Sequence, residues 1–399
     1  MIPYNLIKEI TLYKVEKNYC TANYNGKIYS IGIILYDTLI SLQNEDSIQE
    51  TTYTINRVHN IEIDSNIIEN HINEFIEKIC DTEKNKSTLY NYIYFKVKLF
   101  GSKSIAFVAS FLSPLFNKYL LMTLTPIAIF FTIKLYGLFY EDGILNKQSS
   151  LRASFGGLVL MYTGIAILGL IHEFGHSSSS SYYKQPSDKI GFGIYIVFPV
   201  FYSDVSKIWN LNKWKRIIVN LGGIYFQLLM NIIFYFIYTN IQSLDNKVIL
   251  KFFILANFML LFFALNPFIR NDGYWVYSDF FSIKNLTQRA TLFPKELFFM
   301  LKKKITFQDK LGFIYKNLPL LIYSFLFYIV MTVLFLGLIW LTYLNVISFI
   351  DFIKLWKEID WSTTLVYRQI FGLIFGLFIN TYFLSIILKR FILEKRKRF

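Results

Sequence analysis

The chain has 399 residues, of which 54% are hydrophobic, 19% aromatic and only 17% charged. A soluble domain of this size carries about a quarter charged residues, so the composition favours a membrane protein. The formal net charge is +14, and the placement of the basic residues predicts membrane topology rather than nucleic-acid binding. Two cysteines, Cys20 and Cys80, imply no disulfide framework, and no signal peptide is recognisable.

In residues 1–83, apolar and charged residues are mixed in the way that is typical of a small soluble domain. The segment EITLYKVEKNYCTANYNGKIYSIG predicts strands with a hairpin turn at Asn25-Gly26. Three predicted helices follow, in IILYDTLISLQ, around SIQETTYTI and in DSNIIENHINEFIEKI, the last capped by Asp64 or Ser65. We therefore expect a small α+β domain on the cytoplasmic side of the membrane.

Residues 84–118 are predicted to be a polar linker followed by an amphipathic approach to the membrane surface. The apolar run 105–116 contains Pro114 and is too short to span a bilayer. We interpret this run as an interfacial segment.

Long apolar runs then define a predicted membrane domain at 119–388, followed by a basic tail at 389–399. The loops 177–216 and 269–317 and the tail are rich in lysine and arginine, so we expect these loops and both termini to be cytoplasmic. The sequence thus predicts a polytopic α-helical protein of the bacterial cytoplasmic membrane. Six spans of about 20 residues are expected, at 119–139, 153–175, 217–239, 248–268, 318–343 and 364–388.

His172, Glu173 and His176 belong to the motif HEFGH, at the cytoplasmic end of the second predicted span. Histidines four residues apart share one face of a helix, with the glutamate carboxylate close by. This spacing suits two zinc ligands and a general base. An ionisable side chain in hydrocarbon costs about 3 kcal/mol or more unless it is compensated, which favours a functional site over two interior histidines. The sequence predicts a zinc centre at which Glu173 takes a proton from water.

A catalytic zinc takes three protein ligands, and the remaining histidines, His59 and His71, lie in the N-terminal domain. A carboxylate of the membrane region is therefore the expected third ligand. Asp272 fits best, since it closes the fourth span on the same side as HEFGH, where Pro267 interrupts the helix and Gly273 allows close backbone approach. An ordinary Asp-Gly turn is the alternative interpretation. The other carboxylate candidates are Asp188, Asp204 and Asp279.

Two asparagines, Asn220 and Asn266, stand beside apolar helices on the same predicted side. Either carboxamide could stabilise the oxyanion of a tetrahedral intermediate. A hydrogen bond between helices is an equally good explanation for each.

From about residue 104 to 300 the chain resembles the site-2 protease family of intramembrane zinc metalloproteases. The resemblance lies in HEFGH, GFGIYIVFPVFYSDVSKIW, NLGGIYFQLLMN and NPFIRNDGYW. In that family an asparagine-proline segment precedes an Asp-Gly pair whose aspartate is the third zinc ligand, which implies this role for Asp272. Asn271 stands where leucine is frequent and Gly223 where proline is common, and neither departure removes a ligand.

The segment 191–209 combines glycines, β-forming residues and Pro199, which does not suit a spanning helix. We expect a re-entrant hairpin beside the zinc centre, whose edge could hold an extended substrate strand. A loop that only packs over the centre is the alternative.

The whole arrangement is similar to the peptide zinc metalloproteases encoded beside genes for ribosomally made, modified peptides, and residues 1–83 resemble their winged-helix leader-recognition element. This resemblance implies cleavage of a precursor peptide during maturation or export. It also implies Zn²⁺ as cofactor, and as partners the lipid bilayer, the precursor and a peptide exporter or modifying enzyme, with no nucleic acid. The alternatives are release of a membrane-anchored regulator, a non-catalytic transporter or immunity protein, and an N-terminal domain that only stabilises the chain.

Overall fold

The computed structural model divides into two compact units, residues 1–284 and 285–399. The residues that the structure describes are 4–16, 19–24, 27–44, 47–84, 93–141, 155–195, 198–303, 306–354, 372–374, 376–378 and 380–382.

The first unit begins with a small α+β region that has its own apolar core. Its three-stranded antiparallel sheet has β2 in the centre, and buried side chains of the sheet and helices, such as Cys20, Leu39 and Ile72, form one cluster. The predicted strands and helices are therefore present, although Asn25 and Gly26 lie outside the described residues. The elements are α1 (Tyr4–Lys8), β1 (Thr11–Glu16), β2 (Tyr19–Tyr24), β3 (Lys27–Ile31), α2 (Ile33–Gln43), α3 (Ile48–His59) and α4 (Ser65–Lys84).

The start of α3 shows how local sequence fixes a helix end. The Ser47 hydroxyl accepts a hydrogen bond from the Glu50 backbone N–H, and the Glu50 carboxylate accepts one from the Ser47 N–H. Both bonds satisfy backbone donors that the first turn leaves free. The hydrogen bonds from Ser47 to the carboxylate hold the pKa of Glu50 below its ordinary value.

The rest of the first unit is mostly helical. Its helices are α5 (Ser102–Leu112), α6 (Lys118–Glu141), α7 (Phe155–Tyr182), α8 (Lys213–Asn220), α9 (Gly222–Asn240), α10 (Leu244–Leu265) and α11 (Asp272–Phe280). The second unit contains α12 (Leu286–Lys302), α13 (Phe307–Lys316) and α14 (Leu318–Lys354), and the Ser324 hydroxyl of α14 donates to the Ala290 carbonyl of α12 at 2.7 Å.

Four helices of the described residues are long and apolar enough to cross a membrane, which indicates a membrane protein. They are Lys118–Glu141, Gly222–Asn240, Asn246–Leu265 and Leu318–Lys354. They match the first, third, fourth and fifth predicted spans. The helix that matches the third predicted span begins at Gly222 rather than at residue 217, because a break at Leu221 separates α8 from α9.

The two other predicted spans have different outcomes. The second corresponds to α7, a helix that is not among the four candidates in the described part of the chain. The sixth, 364–388, falls mostly outside the described residues. The predicted number of spans therefore stays a prediction.

A second antiparallel sheet contains the predicted hairpin. Strands β5 (Lys189–Tyr195) and β6 (Phe198–Ser203) pair with each other, and β4 (Ile93–Gly101) pairs with the other edge of β5. Strand β4 lies in the segment that we expected to be a linker and surface approach, so its place in the sheet was not anticipated from the sequence. Among the described strands, β6 keeps an outer edge without a strand partner.

Candidate metal centre

The motif HEFGH lies within α7, so the predicted helical face forms. The imidazole rings of His172 and His176 have centroids 4.8 Å apart, and their Nε2 atoms are 3.1 Å apart. The side chain of His176 is 8% exposed and that of His172 is 14% exposed. The two rings therefore turn the same nitrogen toward one point from a largely buried position.

Asp272 reaches this point because the chain folds back tightly after α10. The helix ends at Leu265, and a Cβ on Gly273 would collide with the Leu265 carbonyl, so only glycine fits there. Asp272 then opens α11. Its Oδ2 lies 3.0 Å from His172 Nε2 and its Oδ1 lies 3.3 Å from His176 Nε2.

This donor set fits a zinc ion. All three ligand atoms of His172, His176 and Asp272 lie within 4.8 Å of one another. Zinc bound at about 2.0–2.1 Å in a tetrahedron separates neighbouring ligand atoms by roughly 3.3 Å, close to the 3.0–3.3 Å distances observed here. Two imidazoles and a carboxylate are a ligand set that catalytic zinc accepts, and three ligands leave its fourth position open.

Backbone contacts hold the two rings in place. His176 Nδ1 lies 2.8 Å from the Val219 carbonyl oxygen, a contact in which Nδ1–H donates and Nε2 keeps its lone pair for a metal. The His172 ring packs against Gly223, and Gly175 packs against Gly222. A Cβ on any of these glycines would meet its neighbour within 3.0 Å, so the close approach of α7 to α9 depends on them.

Glu173 is 9% exposed and interacts electrostatically with both histidines and with Asp272. The backbone N–H of Ser203, the last residue of β6, donates to its carboxylate. The end of strand β6 therefore lies beside Glu173, the residue that we expect to act as general base, and the contact with Ser203 orients its carboxylate.

The two predicted oxyanion residues occupy different settings. Asn220 ends α8 and is 8% exposed, beside the Val219 that holds His176. Asn266 follows α10, and its side-chain oxygen accepts a hydrogen bond from the Phe268 N–H at 2.9 Å. The side chain of Asn266 thus closes a local turn, and a role in catalysis stays a prediction for both residues.

The three other carboxylate candidates have partners away from the histidines. Asp188 accepts from Lys207 Nζ at 2.6 Å, and Asp204 accepts from the Ser206 hydroxyl at 2.6 Å. Asp279 pairs with a buried arginine of α8, Arg216. Within the described residues, the one group of three or more potential metal ligands is His172, His176 and Asp272.

The interaction between Arg216 and Asp279 was missed from the sequence. Arg216 Nε and Nη2 donate to Asp279 Oδ1 at 3.0 and 2.7 Å. This bond joins α8, which carries Val219, to α11, which begins with Asp272. Burial raises the pKa of the Asp279 carboxyl above its ordinary value, although Arg216 opposes that shift. No local pattern signals such a pair, because its members are 63 positions apart.

The geometry defines the class of the protein: a helical membrane protein with a buried His-His-Asp centre and an adjacent glutamate. A search of curated proteins found similarity to "Putative peptide zinc metalloprotease protein YydH" of Bacillus subtilis (strain 168), 27% identical over 154 residues. The match covers 37% of this chain and 59% of that relative. This distant similarity supports the resemblance to a zinc metalloprotease. No family model and no solved structure matches the chain.

Proposed function

We propose that this protein is an intramembrane zinc metalloprotease that hydrolyses a peptide bond in a ribosomally made, modified precursor peptide. The convergence of His172, His176 and Asp272 beside Glu173 carries the proposal. The name of the Bacillus subtilis relative supports a peptide metalloprotease role at the level of the family.

The proposed chemistry assigns a task to each residue. His172, His176 and Asp272 would hold the ion, which when bound polarises the scissile carbonyl and lowers the pKa of water to about 7. Glu173 takes the proton from the attacking water and delivers it to the departing amine, so the proton is returned and the carboxylate regenerated. Burial of Glu173 among α7 and β6 keeps bulk water away from this transfer.

The sheet supports a way to present the substrate. A peptide bond inside a helix is shielded, so the substrate must be extended where it is cut. Strand β6 has an outer edge without a strand partner in the described sheet, and its last residue, Ser203, contacts Glu173. We propose that the substrate adds to this edge as a further strand, which leads its scissile bond toward the general base.

The N-terminal domain supports delivery of a precursor. After a short additional helix, α1, its three strands and three helices come in the order that the resemblance to leader-recognition elements implies. The domain also contacts the membrane domain. Thr21 Oγ1 donates to Asn210 at 2.8 Å, and the Lys213 N–H donates to Glu16 at 3.1 Å. A leader held by this domain would tether the rest of the precursor near α8.

The test is cleavage of a co-expressed candidate precursor, followed by mass spectrometry of the peptide. Glu173→Gln should abolish the product while zinc content stays at one ion per chain. Glu296→Gln, an exposed glutamate of α12, is the matched control and should cleave normally. Cleavage at the wild-type rate by Glu173→Gln would contradict the proposal. A membrane-anchored regulator cut in place of the precursor would support the alternative substrate.

A further inference from the structure

A polar stripe runs along α9 away from the candidate metal centre. Gly223, Gln227 and Asn231 are spaced four residues apart, so they share one helix face. Gly223 packs on the His172 ring, and Gln227 follows one turn later, about 6 Å along the helix axis. This face of α9 therefore leads from the proposed metal ligands into the region between the packed helices.

Asn231, at the far end of this stripe, is hydrogen-bonded at both polar atoms of its side chain. Asn231 Nδ2 donates to the Thr132 hydroxyl at 3.0 Å, and Asn231 Oδ1 accepts from Asn257 Nδ2 at 2.7 Å. Asn257 Nδ2 also lies 3.0 Å from the backbone carbonyl oxygen of Gln227. These bonds join α6, α9 and α10, and they explain Asn231 as a residue that holds helices together.

Gln227 differs from Asn231 and Asn257, because neither polar atom of its side chain is paired, whereas Asn257 lacks a partner only at Oδ1. Its residue is 1% exposed, and both its Nε2 and its Oε1 are buried with no hydrogen-bond partner in the described structure. A buried amide without partners is costly in an apolar interior, so a site that keeps one has a use for it. A carboxamide offers one donor edge and one acceptor, which complement the C=O and N–H of a peptide group.

We propose that Gln227 is a substrate-positioning residue, whose carboxamide pairs with a backbone peptide group of the bound substrate. The inference rests on the proposed protease function. An extended chain advances about 3.3 Å per residue, so the offset of about 6 Å along α9 corresponds to a peptide group about two residues from the scissile bond. Because this contact recognises the substrate's backbone, it tolerates many substrate side chains. It also holds the segment to be cleaved in an extended conformation.

The probe is a fluorescent peptide hydroxamate, in which the hydroxamate binds zinc and an apolar tripeptide extends from it. Binding to the full-length, zinc-loaded protein in detergent micelles is followed by fluorescence anisotropy. A second probe carries an ester in place of the second peptide bond, which removes one N–H. Acetohydroxamate, which has no peptide, reports the metal centre alone.

Wild-type protein should bind the ester probe about tenfold more weakly than the amide probe, the effect of one lost hydrogen bond. Gln227→Met keeps the length of the side chain without its amide, and it should bind both probes equally while acetohydroxamate binding stays unchanged. Gln227→Asn, which shortens the side chain and withdraws its carboxamide, should also lose the preference for the amide probe over the ester probe. It replaces Gln227→Met in the experiment if the methionine variant does not fold.

The matched control is Asn231→Leu, which removes a paired amide of the same stripe. This variant should be less stable but should keep the tenfold preference for the amide probe. If replacing the amide probe by the ester probe weakens binding equally in wild-type protein and in Gln227→Met, the proposed role of Gln227 is overturned. The proposed protease function is not affected by that result. Failure of every hydroxamate to bind wild-type protein would overturn both.

Discussion

Gly223 lies against the imidazole of His172, so that a Cβ at this position would come within 3.0 Å of three atoms of the ring. The ring is a proposed zinc ligand, and a tetrahedral site tolerates little displacement of its ligands. The helix α9 therefore shapes the metal centre without supplying a ligand to it.

Gly223→Ala tests this relationship. The methyl group would push His172 out of line, and we expect zinc affinity to fall about 10- to 100-fold, the range seen when the support of a ligand is lost. Zinc affinity is measured by competition with a chelator. The control is Gly137→Ala in α6, where a Cβ would have no atom within 4 Å; equal affinities in the two variants would contradict the prediction.

Asp272→Asn tests the third ligand. The amide keeps the shape of the side chain but loses the negative charge that complements a divalent cation, so at least about a 100-fold loss of zinc affinity is expected. Metal analysis after dialysis against a chelator gives the zinc content per chain. Asp351→Asn, an exposed aspartate of α14, should retain full zinc, and retention by Asp272→Asn would exclude this carboxylate as a ligand.

The buried pair Arg216–Asp279 makes a prediction about stability. Removal of one partner leaves an uncompensated charge, so Arg216→Met or Asp279→Leu should each lower the free energy of unfolding by about 3–5 kcal/mol. The double variant should be much closer to wild type, because both desolvation costs disappear together. Denaturant unfolding in detergent measures all four proteins. Additive losses in the double variant would show that the two side chains act independently.

Tyr19 connects the N-terminal domain to this pair. Its ring lies 5.4 Å from the Arg216 guanidinium carbon and 4.9 Å from Lys284 Nζ. Removal of two cation–π contacts by Tyr19→Leu should cost about 1 kcal/mol of docking free energy. Hydrogen exchange of 206–216 should then be about fivefold faster. Tyr53→Leu, at a position 68% exposed, is the control, and unchanged exchange in Tyr19→Leu would mean that the domain does not protect this segment.

Much of the fold could be predicted from sequence because its signals are local. Apolar runs of sufficient length predicted the four helices that are able to span a membrane. The turn signal at Asn25-Gly26 accompanied the predicted strands of the N-terminal sheet, and glycines, β-forming residues and Pro199 predicted the hairpin of β5 and β6. Strand β4 could not be recognised because its partner, β5, lies about a hundred positions later, from Lys189 to Tyr195. Pairing with a strand so distant in sequence is not visible in the local residue pattern.

For the centre itself, the sequence alone determined the helical spacing of His172 and His176 and the place of Glu173 between them, and it led to the expectation of a carboxylate as third ligand. These follow from the 3.6-residue period and from the small number of histidines. Only the tertiary structure decided that Asp272 meets both rings, that glycines allow α9 to approach α7, and that Gln227 is left unpaired nearby. The physical reason is that close packing and hydrogen-bond satisfaction depend on residues distant in sequence, which periodicity and composition do not encode.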